Sequence, residues 1–231
     1  MRPAEINEGV LDNPVWAALS GPHAALAERH GRAARYPADM SMFHAPADPA
    51  DPAAWADLAR LAGAGTEVFL VGPALQAPAG WTATFTLPGV QLADTGMSAD
   101  DDPEAVELTE ADVPDMLDLA ARTKPGPFLP RTIAMGRYVG LRHEGALVAM
   151  AGERLHPPGW TEISAVCTDP AFQGRGLAAR LVRAVAAGIR RRGETAFLHA
   201  AENNTNAIRL YEKLGFTLRT PVTFALLRPP A

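Results

Sequence analysis

TEISAVCT (161–168), DPAFQGRGLA (169–178), ARLVRAVAAGI (179–189), TAFLHA (195–200) and NAIRLYEKLGF (206–216) form the stretch whose reading decides the fold. The first block is a β-branched, alternating run of strand type. Gln173 to Ala178 then place two glycines and a small residue where a helix begins. The third block repeats apolar residues at Leu177, Leu181, Val182, Val185 and Ile189, with Arg180, Arg183, Arg190, Arg191 and Arg192 on the other face. A second strand and a second amphipathic helix follow. At the head of the first helix, unpaired N–H groups and the positive end of the helix dipole point the same way, and a diphosphate suits such a place.

Composition narrows the class. The 231 residues suffice for one large or two small domains with real cores. Hydrophobic residues make up 48% and charged ones 20%, as in ordinary globular chains. A net charge of −5 supplies no basic field for nucleic acid or acidic lipid, so neither is expected as a partner. The single cysteine, Cys167, excludes an internal disulfide and fits a reducing compartment. The N-terminus lacks the apolar core of a signal peptide and no run approaches membrane-spanning length, so the expected location is the cytoplasm.

Outward from the central stretch, Asn13-Pro14 and Asp51-Pro52 are cap-plus-proline helix starts. A further short helix is expected from Pro22 to His30-Gly31. TEVFLV and WTATFTL read as strands. Residues 1–95 are thus expected as a smaller α/β unit with no assignable chemistry. The acidic, turn-rich 96–104 reads as a linker, and 105–231 as the second domain. In that domain Asp112 is expected to cap a helix, Lys124–Pro130 to form an irregular loop exposing Phe128, and His143-Glu144-Gly145 to turn a hairpin.

The order strand, QGRGLA, helix, strand, then N-A-x-x-L-Y-E-K-L-G-F resembles the acetyl-CoA-binding core of the GNAT N-acetyltransferase superfamily. Its signature, Gln or Arg, two residues, Gly, one residue, Gly or Ala, is matched by Gln173, Gly176 and Ala178. The resemblance covers roughly 105–228. The N-terminal third lies outside it and is compatible with a decayed copy of the same fold, as in tandem members. The resemblance implies a mixed, twisted α/β sheet flanked by helices. It also implies an N-acetyltransferase moving an acetyl group from acetyl-CoA to a primary amine, with no covalent enzyme intermediate.

By the same resemblance, the coenzyme's diphosphate would sit on the N–H groups of Gln173, Gly174, Arg175, Gly176, Leu177, Ala178 and Ala179. Its pantetheine arm would pair along Val166, Cys167 and Thr168 and touch Asn206. Arg180 is a further candidate for a phosphate. A backbone N–H near Cys167 would polarise the thioester carbonyl, and Tyr211 would be the acid for the departing thiolate. Glu162, eleven residues before Gln173, is the candidate base, with Glu153 or a water as competitors. Each has a plainer reading: a glycine turn, a packed tyrosine, a solvated strand-end charge, a helix-capping asparagine. Cys167 is read as a small buried residue rather than a nucleophile.

Gly174, Gly176 and Ala179 also spell a dinucleotide fingerprint. There the first glycine directly follows the strand, whereas Thr168 to Gln173 intervene here, and Glu202 lies 28 residues beyond Gly174 rather than about 20. That reading fails. The six histidines show no ligand spacing, so no metal is expected. The acceptor is expected to be a small-molecule or peptide amine. Its pocket is expected around Lys124–Pro130, Met135 and Pro157–Trp160, with Phe128, Leu129 and Trp160 giving it an apolar character. An open sheet edge would allow a homodimer. A non-catalytic acyl-CoA-binding sensor or scaffold is the alternative.

Overall fold

The computed structural model describes residues 7–73 and 75–230. Along the chain it contains α1 (Pro14–Ser20), β1 (Glu28–His30), β2 (Ala33–Arg35), β3 (His44–Pro46), α2 (Pro52–Ala62), β4 (Val68–Gly72) and β5 (Thr82–Asp94). β6 (Val106–Leu108), α3 (Val113–Thr123), β7 (Tyr138–His143), β8 (Ala146–Glu153) and β9 (Trp160–Thr168) come next. They are followed by α4 (Leu177–Arg191), β10 (Thr195–Ala201), α5 (Thr205–Leu214) and β11 (Phe216–Arg228). The Asn13 and Asp51 caps form as their residue types dictate, accepting from Trp16 N (3.4 Å) and Ala53 N (2.9 Å).

The helix expected after Pro22 shrinks to one 3-10 turn, Ala24–Leu26. Glu28–His30 instead pairs antiparallel with Ala33–Arg35 through Gly31, whose φ is +52°. A Cβ at Gly31 would lie 2.2 Å from an Asp57 carboxylate oxygen, so the turn admits only glycine. Cross-strand pairing wins over the weak propensity of a short helix.

The main sheet has eight strands in the order β4-β11-β5-β10-β9-β8-β7-β6. All neighbours are antiparallel except β9 and β10. The N-terminal region and the rest of the chain share this sheet: β5 lies between β10 and β11, pairing with β11 along its length and with β10 over Gly89–Ala93. Residues 8–94 therefore build no second copy of the sheet; beyond β4 and β5 they supply the three-stranded β1-β2-β3 layer. The outermost strands, β4 and β6, are five and three residues long.

Two cores sandwich the central strands. On one face Leu181, Val182, Val185 and Ile189 of α4 meet Leu198 and Leu92. On the other, Phe197, Trp160 and Ala93 meet Leu11, Leu19, Tyr36 and Phe43 of the N-terminal layer. The acidic 96–104 segment is a strap rather than a free linker. Asp102 and Glu104 take Arg180 (2.6 and 2.5 Å), Asp101 takes Arg191 (2.7 Å), and Asp94 takes Arg190 (2.9 Å). The arginine face of α4 is thus covered by carboxylates. Phe128, expected to be exposed, packs edge-to-face on Tyr138 at 5.6 Å and is buried. Asp112 accepts from the Thr109 N–H (2.8 Å) one turn before α3.

Candidate active site

Gly174 and Gly176 both have φ +76°, the left-handed region where side chains are strained. A Cβ at either would meet nothing within 4 Å, so the backbone conformation and not crowding calls for glycine. This geometry turns the chain so that Gly176 becomes the N-cap of α4 without any side-chain cap. The first N–H bonded back into the helix is that of Arg180, to the Gly176 carbonyl at 3.1 Å. Among the described residues, the amides of Gly174 through Ala179 have no partner. Six consecutive open donors at a helix start are an arrangement whose geometry suits an anion.

The strand leading into this turn has an open edge. β9 and β10 pair only at Thr195↔Trp160, Ala196↔Thr161 and Phe197↔Glu162. Beyond Glu162 the two strands diverge. On its other edge β9 slips register against β8 between Ser164 and Cys167, and Ala165 takes φ +53°, a bulge that re-aims the strand. A cleft of about 500 Å³ occupies the divergence. Val166, Cys167, Thr168, Gln173, Gly174, Gly176, Leu177, Ala178, Ala179, Asn206 and Tyr211 all line it. Leu177, Ala178 and Asn206 come from helix starts; the α5 cap itself is Asn204, accepting from Ala207 N at 3.2 Å. Arg175 does not line the cleft; its guanidinium stacks on Phe172 at 4.7 Å. Arg180 is engaged by the acidic strap.

A second cleft, about 320 Å³, meets the first along Lys124, Pro125, Val166, Asn204, Ala207 and Tyr211. Lys124 to Pro127, from the expected loop, form one wall. Phe43, Phe69, Phe85, Leu87 and Phe224 form the other. Sequence reasoning missed these five, because they come from β4, β5, β11 and the bridge residue Phe43 and are brought together only by long-range pairing within the sheet. The alternation of Phe85 and Leu87 in β5 was the one available signal. Met135 and Trp160, expected here, are core residues instead, and Leu129 lies outside.

Tyr211 is buried on the wall shared by both clefts. Burial, and secondarily the neighbouring Cys167, push its hydroxyl up to about 12. It is a protonated donor at neutral pH. Cys167 is raised too, chiefly by burial, which removes it as a nucleophile.

Glu162 sits apart from its expected place: it lines neither cleft and has no exposed surface. Its carboxylate takes Nε and Nη2 of Arg154 (2.8 and 2.7 Å) and Nδ1 of His199 (2.7 Å). Burial alone would raise its pKa; the Arg154 charge and these hydrogen bonds reverse that and hold it at about 2. The chain of contacts continues outward. His199 Nε2 meets Gln91 Nε2 at 3.0 Å, and Gln91 Oε1 accepts from Arg219 (2.9 Å), which reaches Asp12 (2.7 Å). Arg219 is the extra residue of a β-bulge opposite Gln91, which aims it at that amide. Because Gln91 Nε2 donates and also serves the Leu11 carbonyl (3.0 Å), the network sets His199 with its proton on Nδ1. Glu153 is likewise buried, held by Arg192 (3.1 Å), and raised by burial. Among the described residues, no cluster of His, Cys, Asp or Glu could hold a metal ion, and no helix is long and apolar enough to cross a membrane.

Comparison with known proteins agrees with this geometry. The model of the FR47-like protein family matches residues 138–225. N-alpha-acetyltransferase RimI of Mycobacterium tuberculosis is 36% identical over 132 residues, 52% of this chain and 82% of that protein. A mycothiol acetyltransferase of Streptosporangium roseum is 51% identical over 57 residues, which span 24% of this chain and only 17% of that protein. Among solved structures, a protein of Novosphingobium aromaticivorans assigned to the GNAT family of acetyltransferases superposes with a TM-score of 0.87 and 43% identity. That match covers 96% of this chain and 99% of that one. The chain therefore belongs to the GNAT N-acetyltransferase superfamily and is an acyltransferase.

Proposed function

We propose that the chain transfers the acetyl group of acetyl-CoA directly to a primary amine. The observation that carries the reading is the continuity of two clefts across the β9/β10 divergence, one headed by six open amides and the other lined by aromatic rings. In this reading Gly174–Ala179 hold the diphosphate through charge-assisted bonds, worth roughly 1.5–3 kcal/mol each. The unpaired edge of Val166–Thr168 takes the pantetheine arm as an added strand.

At the junction the amine nitrogen attacks the thioester carbon. A C–N bond forms, the C–S bond breaks, and an N–H proton of the attacking nitrogen leaves with the thiol. A thiol of pKa about 8.5 cannot take a proton fully from Tyr211 near 12. Tyr211 therefore donates a hydrogen bond to the sulfur as its charge develops, and the net proton comes from the attacking amine. A sealed carboxylate held at about 2 is a poor base. Glu162 then serves to hold Arg154 and His199. The acceptor's ammonium gives one proton to solvent in the second cleft before attack. The second N–H proton, released once the C–N bond has formed, is the one that ends on the thiol.

Isothermal titration with coenzyme A, followed by thiol release from acetyl-CoA, tests the reading. Tyr211→Phe should lower kcat by about 10- to 100-fold while leaving coenzyme binding within about threefold. No binding of coenzyme A would overturn the donor assignment. Tight binding, with only a background hydrolysis that Tyr211→Phe leaves unchanged, would favour a non-catalytic sensor or scaffold.

A further inference from the structure

The second cleft carries information about its occupant. Its apolar wall is a stack of rings: Phe43 on Phe69 at 5.2 Å between centroids, and Phe69 on Phe224 at 6.2 Å and 12° between planes. Phe85 completes the rim and is 48% exposed, a large apolar side chain that the chain itself leaves uncovered. Among the described residues of the lining, the charged side chains are Lys124, on the facing loop, and Arg154, which is paired with Glu162 and packed on Phe43; none of them is a carboxylate. Lys124 is exposed. Arg154 gives Nε and Nη2 to Glu162, which leaves Nη1 uncommitted, and its guanidinium lies 4.9 Å over the Phe43 ring. A cavity of about 320 Å³ is at the small end of ligand sites, room for one compact molecule.

These features exclude as much as they admit. A polyamine or aminosugar would bring several positive charges to a cleft where Arg154 is already neutralised by Glu162 and Lys124 is the uncompensated charge, an arrangement that selects against it. A simple alkyl amine would leave the ring stack wet. A molecule with an anionic group for Lys124 and Arg154 Nη1, a flat apolar group for the rings, and an amine between them matches every wall.

We propose, resting on the acetyltransferase reading above, that the acceptor is a free α-amino acid with an aromatic or large apolar side chain. Its carboxylate faces Lys124 and Arg154, its side chain lies among Phe69, Phe85 and Phe224, and its α-amine reaches the thioester beside Tyr211. The products are the N-acetylated amino acid and the free thiol of coenzyme A.

The test uses the full chain with acetyl-CoA and four acceptors: L-phenylalanine, L-phenylalaninamide, glycine and spermidine. The expected kcat/KM for L-phenylalanine exceeds that of each of the others at least tenfold. Phe85→Ala, a change at a half-exposed site, should cut the phenylalanine-to-glycine ratio at least fivefold. Lys124→Gln should raise KM for L-phenylalanine about tenfold and leave that for the amide unchanged. Equal rates on acid and amide, or preference for spermidine, with coenzyme A still bound in titration, would overturn the acceptor assignment alone. A preference for phenylacetyl-CoA over acetyl-CoA with glycine as acceptor would reassign the ring stack to the donor's acyl group and overturn it too. Saturation-transfer NMR of L-phenylalanine with the donor-free chain reads the cleft independently of turnover: signal lost in Phe85→Ala supports the assignment, and no signal in the parent counts against it. Failure of coenzyme A to bind would instead sink the donor reading.

Discussion

The two clefts meet along a shared wall yet are built in opposite ways. The head of the first is made of backbone within residues 162–179: open amides, a strand edge and two glycines; Thr123–Pro125 and the start of α5 complete its walls. The second is made of side chains drawn from positions as distant as 43 and 224. A backbone site needs only local conformation, so short sequence motifs describe it. A side-chain site needs the whole tertiary arrangement, so the side chains of the second cleft can vary without disturbing the backbone of the first.

The comparison breaks most completely if the second cleft's supplier can be removed without loss. A chain beginning at residue 96 lacks β4 and β5, and β5 fills the sheet between β10 and β11. It should show no cooperative thermal transition by circular dichroism. A folded, coenzyme-binding fragment would mean the donor half stands alone.

Next in size is Glu162→Gln. It removes the partner of a buried guanidinium, and an uncompensated buried charge costs about 3–5 kcal/mol. Urea unfolding should register it. Glu162 is depressed from about 4.3 in the unfolded chain to about 2, so its contribution is complete above about 4.3 and fades as pH falls toward 2. The variant should lose that part of the acid-induced decline. Unfolding midpoints measured from pH 7 to pH 3 would tell, and parallel curves would contradict the sealed ion pair.

Gly176→Val sharpens the contrast from the donor side. A β-branched residue at φ +76° costs about 1–2 kcal/mol and shifts the amides that follow. Coenzyme A affinity by titration should fall about tenfold or more, whereas Phe85→Ala should leave it unaltered. The smallest effect is expected from Arg180→Ala. Because Arg180 belongs to the Asp102 and Glu104 strap, the change should cost about 1 kcal/mol or less, and less still in high salt. Coenzyme affinity should stay within twofold; a large drop would return Arg180 to the phosphate site.

Much of the first cleft's geometry was legible beforehand because its signals are local. Gln173, Gly174, Gly176 and Ala178 announce a turn into a helix, and Tyr211 lies on a stripe with 3.6-residue period. Glu162 shows where such reading fails. A glutamate at a strand start is ordinarily solvated, but here the N-terminal layer covers that face and Arg154 closes over the carboxylate. The acidic run 96–104 misled for a related reason. Turn-rich, charged composition is shared by linkers and by straps, and only the arginines of α4, nearly 80 residues on, distinguish the two.

By itself the sequence determined the elements from Trp160 to Leu214, the glycine turn and the open helix start. Each of these depends on φ preferences, caps and periodicity within a few neighbouring residues. Only the tertiary structure decided that β5 enters the sheet between β10 and β11, that Glu162 is sealed within a polar chain across the sheet, and that phenylalanines from the N-terminal region wall the second cleft. Those outcomes depend on burial and on pairing between residues more than a hundred positions apart, for which no local pattern carries the information.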